Sequence, residues 1–238
     1  MIVEICANSF ESALAAQKAG AHRIELCTEL SMGGITPSFG LLEKIRSELT
    51  IPVYVLIRPR SGNFTYTKNE IDVMLKDIEH CKKKGVTGIV SGALTMENEI
   101  DIVTTSQLFE ASTGLDFTFH RAFDWCHDPK ASLKTLQQMG VKRILSSGQK
   151  PTALEGLALL KELQHLSKSI EIMPGGGITV ENVLAFKEAG FNEIHASASH
   201  KIQTLKWTPK VSMQSPLEEG IVSHSSEVKI KAILQKLA

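Results

Sequence analysis

Residues 20–27 read Gly20-Ala21-His22-Arg23-Ile24-Glu25-Leu26-Cys27. A glycine at the head of this stretch suits the left-handed residue that follows a helix C-terminus, and the β-rich run after it suits a strand. The same Gly-x-x-x-Ile spacing returns three times, with Gly85 before Ile89, Gly140 before Ile144 and Gly190 before Ile194. Each copy marks the end of a helix and the start of a strand. The copies recur every 50 to 65 residues, the length of about two βα units.

Outward from these anchors, short apolar runs give eight candidate strands at 2–6, 23–27, 53–58, 88–91, 117–120, 143–146, 170–173 and 193–197. The glycine repeat falls on strands two, four, six and eight. Between strands lie helical patterns such as Ile71, Met74, Leu75 and Ile78, opened by a capping-box pair, Thr67 and Glu70. Thr36-Pro37 and Asp128-Pro129 each set a capping side chain before a proline at the first helical position. The pattern predicts an α/β protein, a single (β/α)8 TIM barrel over residues 1–200, with an open doubly wound sheet as the alternative. Residues 201–238 break the pattern with Trp207, two prolines (Pro209 and Pro216) and a Ser/Glu-rich stretch. Ile230, Ile233, Leu234 and Leu237 then follow at helical spacing. This extension is expected to form a surface excursion and a terminal amphipathic helix packed on the barrel or on a second subunit.

The 238 residues carry 26 Lys+Arg against 26 Asp+Glu, and 42% are hydrophobic. Such a chain builds a real core and has no global field for nucleic acid or anionic lipid, so neither partner is expected. No apolar run approaches the ~18–20 residues of a membrane helix, and Met1-Ile2-Val3-Glu4 is no export signal. Cys6, Cys27, Cys81 and Cys126 are widely spread and form no CxxC pair, which suits a reducing cytoplasm. Pairing through barrel helices or the tail makes a homo-oligomer the expected assembly.

In a barrel of this kind the chemistry sits at the C-terminal ends of the strands. Strands one and two end in the same pattern, Glu4-Ile5-Cys6 and Glu25-Leu26-Cys27. Period-two alternation puts Glu and Cys on one face in each, so two carboxylates and two thiols can converge. Strand three ends at Arg58-Pro59-Arg60, strand five at His120-Arg121 with Asp124 close behind, and strand eight carries His195 and Ser197. Two readings follow. In one, Glu4, Glu25 and Arg58 form a structural ion-pair network. In the other, the mouth is an enzyme site for a small anionic or phosphorylated metabolite. Arg58, Arg60, Arg121, His195 and Ser197 would then bind the substrate, with Gly175, Gly176 and Gly177 forming either a phosphate cradle or a tight turn before a helix capped by Thr179. Glu4 or Glu25 would act as general base with His120 or Asp124 as acid partner, in an isomerisation, an aldol-type cleavage or a hydrolysis.

The thiols offer a third possibility. Cys6 and Cys27 on strands ~4.8 Å apart can form a two-coordinate soft site suited to Cu(I), or can be plain buried hydrophobes. Cys81, beside Lys82-Lys83-Lys84, is expected to be inert, and Cys126, beside Trp125 and His127, to be reactive if exposed.

Several of these words occur together, in order, in one known family. They are Val3-Glu4-Ile5-Cys6, Gly20 through Cys27, Gly33-Gly34-Ile35-Thr36-Pro37-Ser38, Ile57-Arg58-Pro59-Arg60, Thr118-Phe119-His120-Arg121-Ala122-Phe123-Asp124, Ile144-Leu145-Ser146-Ser147-Gly148 and Gly175-Gly176-Gly177. The chain resembles the CutC copper homeostasis proteins over residues 3 to 199. That resemblance implies a cytoplasmic single-domain (β/α)8 barrel linked to copper tolerance, with Cys6 and Cys27 at the positions to which copper binding is attributed.

Overall fold

Strands with one apolar face and helices closed by left-handed glycines leave the chain few ways to fold, and the computed structural model, which describes residues 1–207, 210–211 and 220–238, takes the barrel. The order is β1 (Ile2–Ala7), α1 (Phe10–Ala19), β2 (Arg23–Leu26), α2 (Phe39–Glu48), β3 (Val53–Leu56), α3 (Lys68–Lys83), β4 (Gly88–Ser91) and α4 (Ile102–Ala111). It continues with β5 (Asp116–Phe119), α5 (Pro129–Met139), β6 (Arg143–Ser146), α6 (Leu157–Leu166), β7 (Glu171–Pro174), α7 (Val183–Glu188) and β8 (Glu193–Ala196). The parallel sheet runs β7-β6-β5-β4-β3-β2-β1-β8. A single parallel bridge between Gly175 and His195 brings its two edges together.

Local signals place the helix ends. Gly20 and Gly140 cap α1 and α5 with φ of +86° and +80°, a backbone region that costs glycine nothing. Thr67 and Glu70 form the expected capping box on α3, and Asp128 caps α5 with Pro129 in its first turn. Two expected caps fall elsewhere. Helix α2 starts at Phe39, capped by Ser38, because the Thr36 hydroxyl is taken by the Arg58 backbone N–H at 2.9 Å and so laces the loop after β2 to the end of β3. Helix α7 starts at Val183 after Asn182, while the Thr179 N–H donates to Asn182 Oδ1 at 2.9 Å within the preceding turn.

Alternation along each strand separates two interiors. Val3, Ile5, Ile24, Leu26, Val53 and Val55 face outward into the helix layer, against Ala13, Leu42, Ile45, Met74 and Ile78. Inside the barrel Cys6, Cys27, Tyr54, Leu56 and Val90 form a small apolar set. The other inward positions include buried Glu4, Arg23, Glu25, Arg143, Glu193 and His195, so the barrel centre is largely ionic.

Beyond β8 the chain forms an antiparallel hairpin, β9 (Ser199–Gln203) with β10 (Ile221–Ser225), absent from the eight candidate strands. The terminal helix α8 (Glu227–Leu237) buries Ile230, Ile233 and Leu237 and packs on α1 and α7 of its own barrel, closing the ring of helices. Trp207 is exposed, and Pro209, Pro216 and most of the Ser/Glu-rich stretch lie outside the described residues. Among the described residues no helix is long and apolar enough to cross a membrane.

Candidate functional site

The site rests on an ionic floor. Register places Glu4 opposite Arg23 on one side and opposite His195 on the other. Arg23 bonds Glu4 Oε2 through Nε at 2.5 Å and Glu193 Oε2 through Nη2 at 2.6 Å. Arg143 makes two further bonds to Glu193, one of them Nη2 to Oε1 at 3.0 Å, and reaches Thr118 Oγ1 at 3.1 Å. Both guanidinium groups lie over the Tyr54 ring, at 5.0 and 5.5 Å from its centroid. Two arginines thus meet two glutamates with their hydrogen bonds made, which is what a buried ion cluster requires.

The structural network expected from sequence, Glu4 with Glu25 and Arg58, does not form, and of its three members only Glu4 belongs to this cluster. Arg58 pairs with neither Glu4 nor Glu25; its Nη1 and Nη2 donate to the carbonyls of Met32, Gly34 and Gly62 at 2.9 to 3.0 Å. Arg23, Arg143 and Glu193 take the role. Period-two alternation from Glu25, Leu145 and His195 assigns all three to the inward face, a signal that lies at the N-terminal starts of the strands and not at their C-terminal tips.

Directly above sit His195, Glu25, Cys6 and Cys27. His195 Nδ1 is 2.8 Å from Glu4 Oε1 and 3.9 Å from Glu25 Oε2. The two sulfurs, both of free cysteines, are 3.6 Å apart. Glu25 Oε2 is buried without a hydrogen-bond partner. Donor atoms of Cys6, Glu25 and His195 all lie within 4.8 Å of one another, close enough to share one metal ion. The expected convergence of two glutamates and two cysteines is therefore met.

Their electrostatics diverge. Burial alone would raise the Glu4 carboxyl, but the hydrogen bond to His195 and the Arg23 charge outweigh it and hold it down to about 2. Burial, reinforced by the Glu4 charge, pushes the Glu25 carboxyl up to about 7 against the pull of His195 and Arg23. Burial opposes charging of His195, yet Glu25 and Glu4 together raise it. The Cys6 thiol is raised well above its usual range by its contact with Cys27 and by burial.

A cavity of about 1250 Å³ opens over this group, with Cys6, Glu25, Arg58, His120, Arg121 and His195 in its wall. Gly176, Gly177 and Ser197 line it too, and the hairpin contributes Val222 and His224. The hairpin is tied down where Asn8 Nδ2 donates to the Ser223 carbonyl at 3.0 Å and Ser9 Oγ meets His224 Nδ1 at 2.9 Å.

Other candidate residues are held by partners of their own. Arg60 turns away to pair with Glu70 and to donate to the Thr65 carbonyl at 2.9 Å. Asp124 accepts from Ser146 Oγ at 2.5 Å, the Ser147 N–H at 2.9 Å and Arg121 Nε at 2.8 Å, so it anchors the loop after β6. Gly175 forms the barrel seam, where an added Cβ would come within 2.5 Å of Leu145 Cδ1. His120 is buried with Nδ1 accepting the Ala122 N–H at 3.3 Å, while burial and the Arg58 charge push it down to about 3. Cys126 and Cys81 are buried, and burial raises their thiols to about 11 and about 12, so the exposure that would make Cys126 reactive is not met.

The CutC family model matches residues 1–200. A "family protein CutC" of Pasteurella multocida (strain Pm70) is 47% identical over 199 residues, covering 83% of this chain and 82% of that one. Its counterpart in Photorhabdus laumondii is 47% identical over 197 residues, 83% of this chain and 79% of the other. The crystal structure of a candidate copper homeostasis protein CutC from Streptococcus agalactiae superposes with a TM-score of 0.78 at 36% identity, covering 83% of this chain and 98% of that one. A thiamine phosphate pyrophosphorylase of Pyrococcus furiosus, at 14% identity and a TM-score of 0.61 over 99% of this chain and 95% of that one, shares the fold alone.

Proposed function

The chain belongs to the CutC family, and from that membership we propose that it acts in copper homeostasis by binding Cu(I) through Cys6 and Cys27. The observation that carries the reading is the 3.6 Å separation of two free sulfurs, of which Cys6 lines an open cavity and Cys27 lies buried behind it. Soft thiolates select monovalent copper over harder ions. With metal–sulfur bonds of about 2.3 Å, sulfurs at this spacing subtend about 100° at the ion, far from the straight line of a two-coordinate site. A third donor is therefore needed. His195, whose donor lies with those of Cys6 and Glu25 within 4.8 Å, would supply it on the Cys6 side: Nδ1 faces Glu4, which leaves Nε2 as the ligand atom, and the unpartnered Glu25 oxygen lies 3.9 Å from Nδ1.

Metal entry would displace the thiol protons, so the raised Cys6 thiol sets a proton against the ion and keeps the empty site neutral. Four unpaired cysteines suit a reducing cytoplasm. Exposed Val73 on α3 with Ile102 and Val103 on the neighbouring α4 suits assembly as a homo-oligomer.

The test is the copper content of the fully reduced protein after loading with Cu(I) and gel filtration, against the Cys6→Ser, Cys27→Ser double variant. A single ion retained by the parent and lost by the variant is the expected result. Equal retention by both overturns the reading.

A further inference from the structure

The cavity is far larger than a metal ion needs. At about 1250 Å³ it matches or exceeds the roughly 300–1,000 Å³ of small-molecule pockets, and apolar Leu30, Leu56, Phe64 and Leu145 stand in its wall beside a few fixed polar groups. Three of those polar groups share one chemistry.

Arg58 is buried, and among the described residues no carboxylate pairs with it. Arg23 and Arg143 meet glutamates, Arg60 meets Glu70 and Arg121 meets Asp124, but the Arg58 guanidinium is held by backbone carbonyls and neighbours the neutral Tyr66 hydroxyl, which brings no counter-charge. A cation taken out of water without a counter-charge is costly, and an anion in the adjoining cavity offsets that cost.

His120 follows Phe119 at the end of β5, and its ring packs against Phe64 at 4.9 Å. Because Nδ1 accepts a backbone N–H, the proton of the neutral ring sits on Nε2, a buried donor with no acceptor among the described residues. Its neighbour Arg121 is clamped through Nε by Asp124 at 2.8 Å and through Nη2 by Ser147 Oγ at 2.7 Å. Nη1 makes no bond among the described residues. It lies against Gly176, whose φ of +108° and missing side chain leave the approach open; a Cβ there would stand 3.4 Å from Nη1. The side chain is 45% exposed, so this donor is both aimed and accessible.

We propose that the barrel mouth binds a small metabolite bearing a phosphate or carboxylate group, with Arg121 Nη1 as its direct contact, His120 as a further donor and the unpaired charge of Arg58 drawing it in. The metabolite's oxyanion sits beside the Gly176 backbone and its apolar part lies along Phe64 and Leu145. This site shares the cavity with Cys6 and His195 but uses neither thiol as a contact and does not depend on copper.

Titration calorimetry on reduced, metal-free protein tests it, with inorganic phosphate and succinate as probes at low and high sodium chloride. Saturable binding of at least one probe is expected, weakened about tenfold or more in Arg121→Gln and lowered by salt. The Cys6→Ser, Cys27→Ser variant should bind the same probe as the parent does, which separates this outcome from the fate of the copper reading. Arg121→Lys, which keeps the charge and loses the planar fork, should fall between parent and Arg121→Gln, and thermal melts confirm that each variant is folded. Absence of saturable binding for both probes, or equal binding by folded Arg121→Gln, overturns the proposal.

Discussion

His195 Nδ1 lies 2.8 Å from Glu4 Oε1, and the two residues are register partners across β8 and β1. The other Glu4 oxygen takes Arg23 Nε at 2.5 Å. A continuous chain of charge therefore runs from the ionic floor, through Glu4, to the imidazole at the base of the cavity. It sets the ring orientation and the tautomer before any ligand arrives.

Glu4→Gln breaks that chain without removing the thiols. If His195 completes the copper site, losing its carboxylate support should weaken Cu(I) binding by roughly 10–100-fold in competition with a chelator of known affinity. The same change leaves Arg23 short of one counter-charge and should lower unfolding stability by about 3 kcal/mol. Unchanged copper affinity in the folded variant would show that His195 is no ligand.

Glu193→Gln should be among the most destabilising single changes in the barrel, because Glu193 serves Arg23 and Arg143 together. Loss of one partner from a buried ion cluster costs about 3–5 kcal/mol. The urea midpoint reads it, and a shift of less than about 1 kcal/mol would mean that the network contributes little.

Gly88→Ala tests packing at the ionic floor. An added Cβ would stand 2.3 Å from Tyr54 Cδ1, and that ring is held by Arg23, by Arg143 and by a 2.5 Å bond from its hydroxyl to Asp116 Oδ2. Overpacking of this kind should cost about 1–3 kcal/mol, and a variant as stable as the parent would show that the ring is free to move.

The Glu25 carboxyl carries a pH signature. Its value rises from an ordinary 4.5 to about 7 on folding, so the folded state holds a proton that the unfolded chain has released over that interval. Its contribution to stability is fully present below pH 4.5 and is lost as pH climbs through about 7. His195, also raised, acts in the same direction, whereas Glu4, lowered to about 2, contributes stability above 4.5 that disappears only in stronger acid. Melting temperatures of the parent and Glu25→Gln across pH 4.5 to 8 should therefore diverge in favour of the variant as pH rises. Parallel curves would refute the shift.

Much of this was legible along the chain. Gly20 and Gly140 end helices, Thr67 with Glu70 and Asp128 with Pro129 start them, and the paired Glu-x-Cys ends of β1 and β2 do converge. Those rules are local, acting over three or four residues. Thr36 and Thr179 carry the same local signal as the true caps, yet Thr36 is claimed by the Arg58 backbone and Thr179 lies in the turn before α7. The β9–β10 hairpin gave no such signal, since its strands are mostly solvent-facing and lack a buried stripe.

By itself the sequence determined the two faces of each strand, the helix ends other than the starts of α2 and α7, and the set of residue types that meet at the mouth, because alternation and capping depend on near neighbours. Which arginine meets which glutamate was decided by tertiary structure alone. Arg23 finds Glu193 across 170 residues, Arg58 is left without a carboxylate, and Asp124 is spent on Ser146 and Ser147. Such pairings follow from the register between neighbouring strands and the closure of the barrel at Gly175 and His195, and no local stretch of chain encodes either.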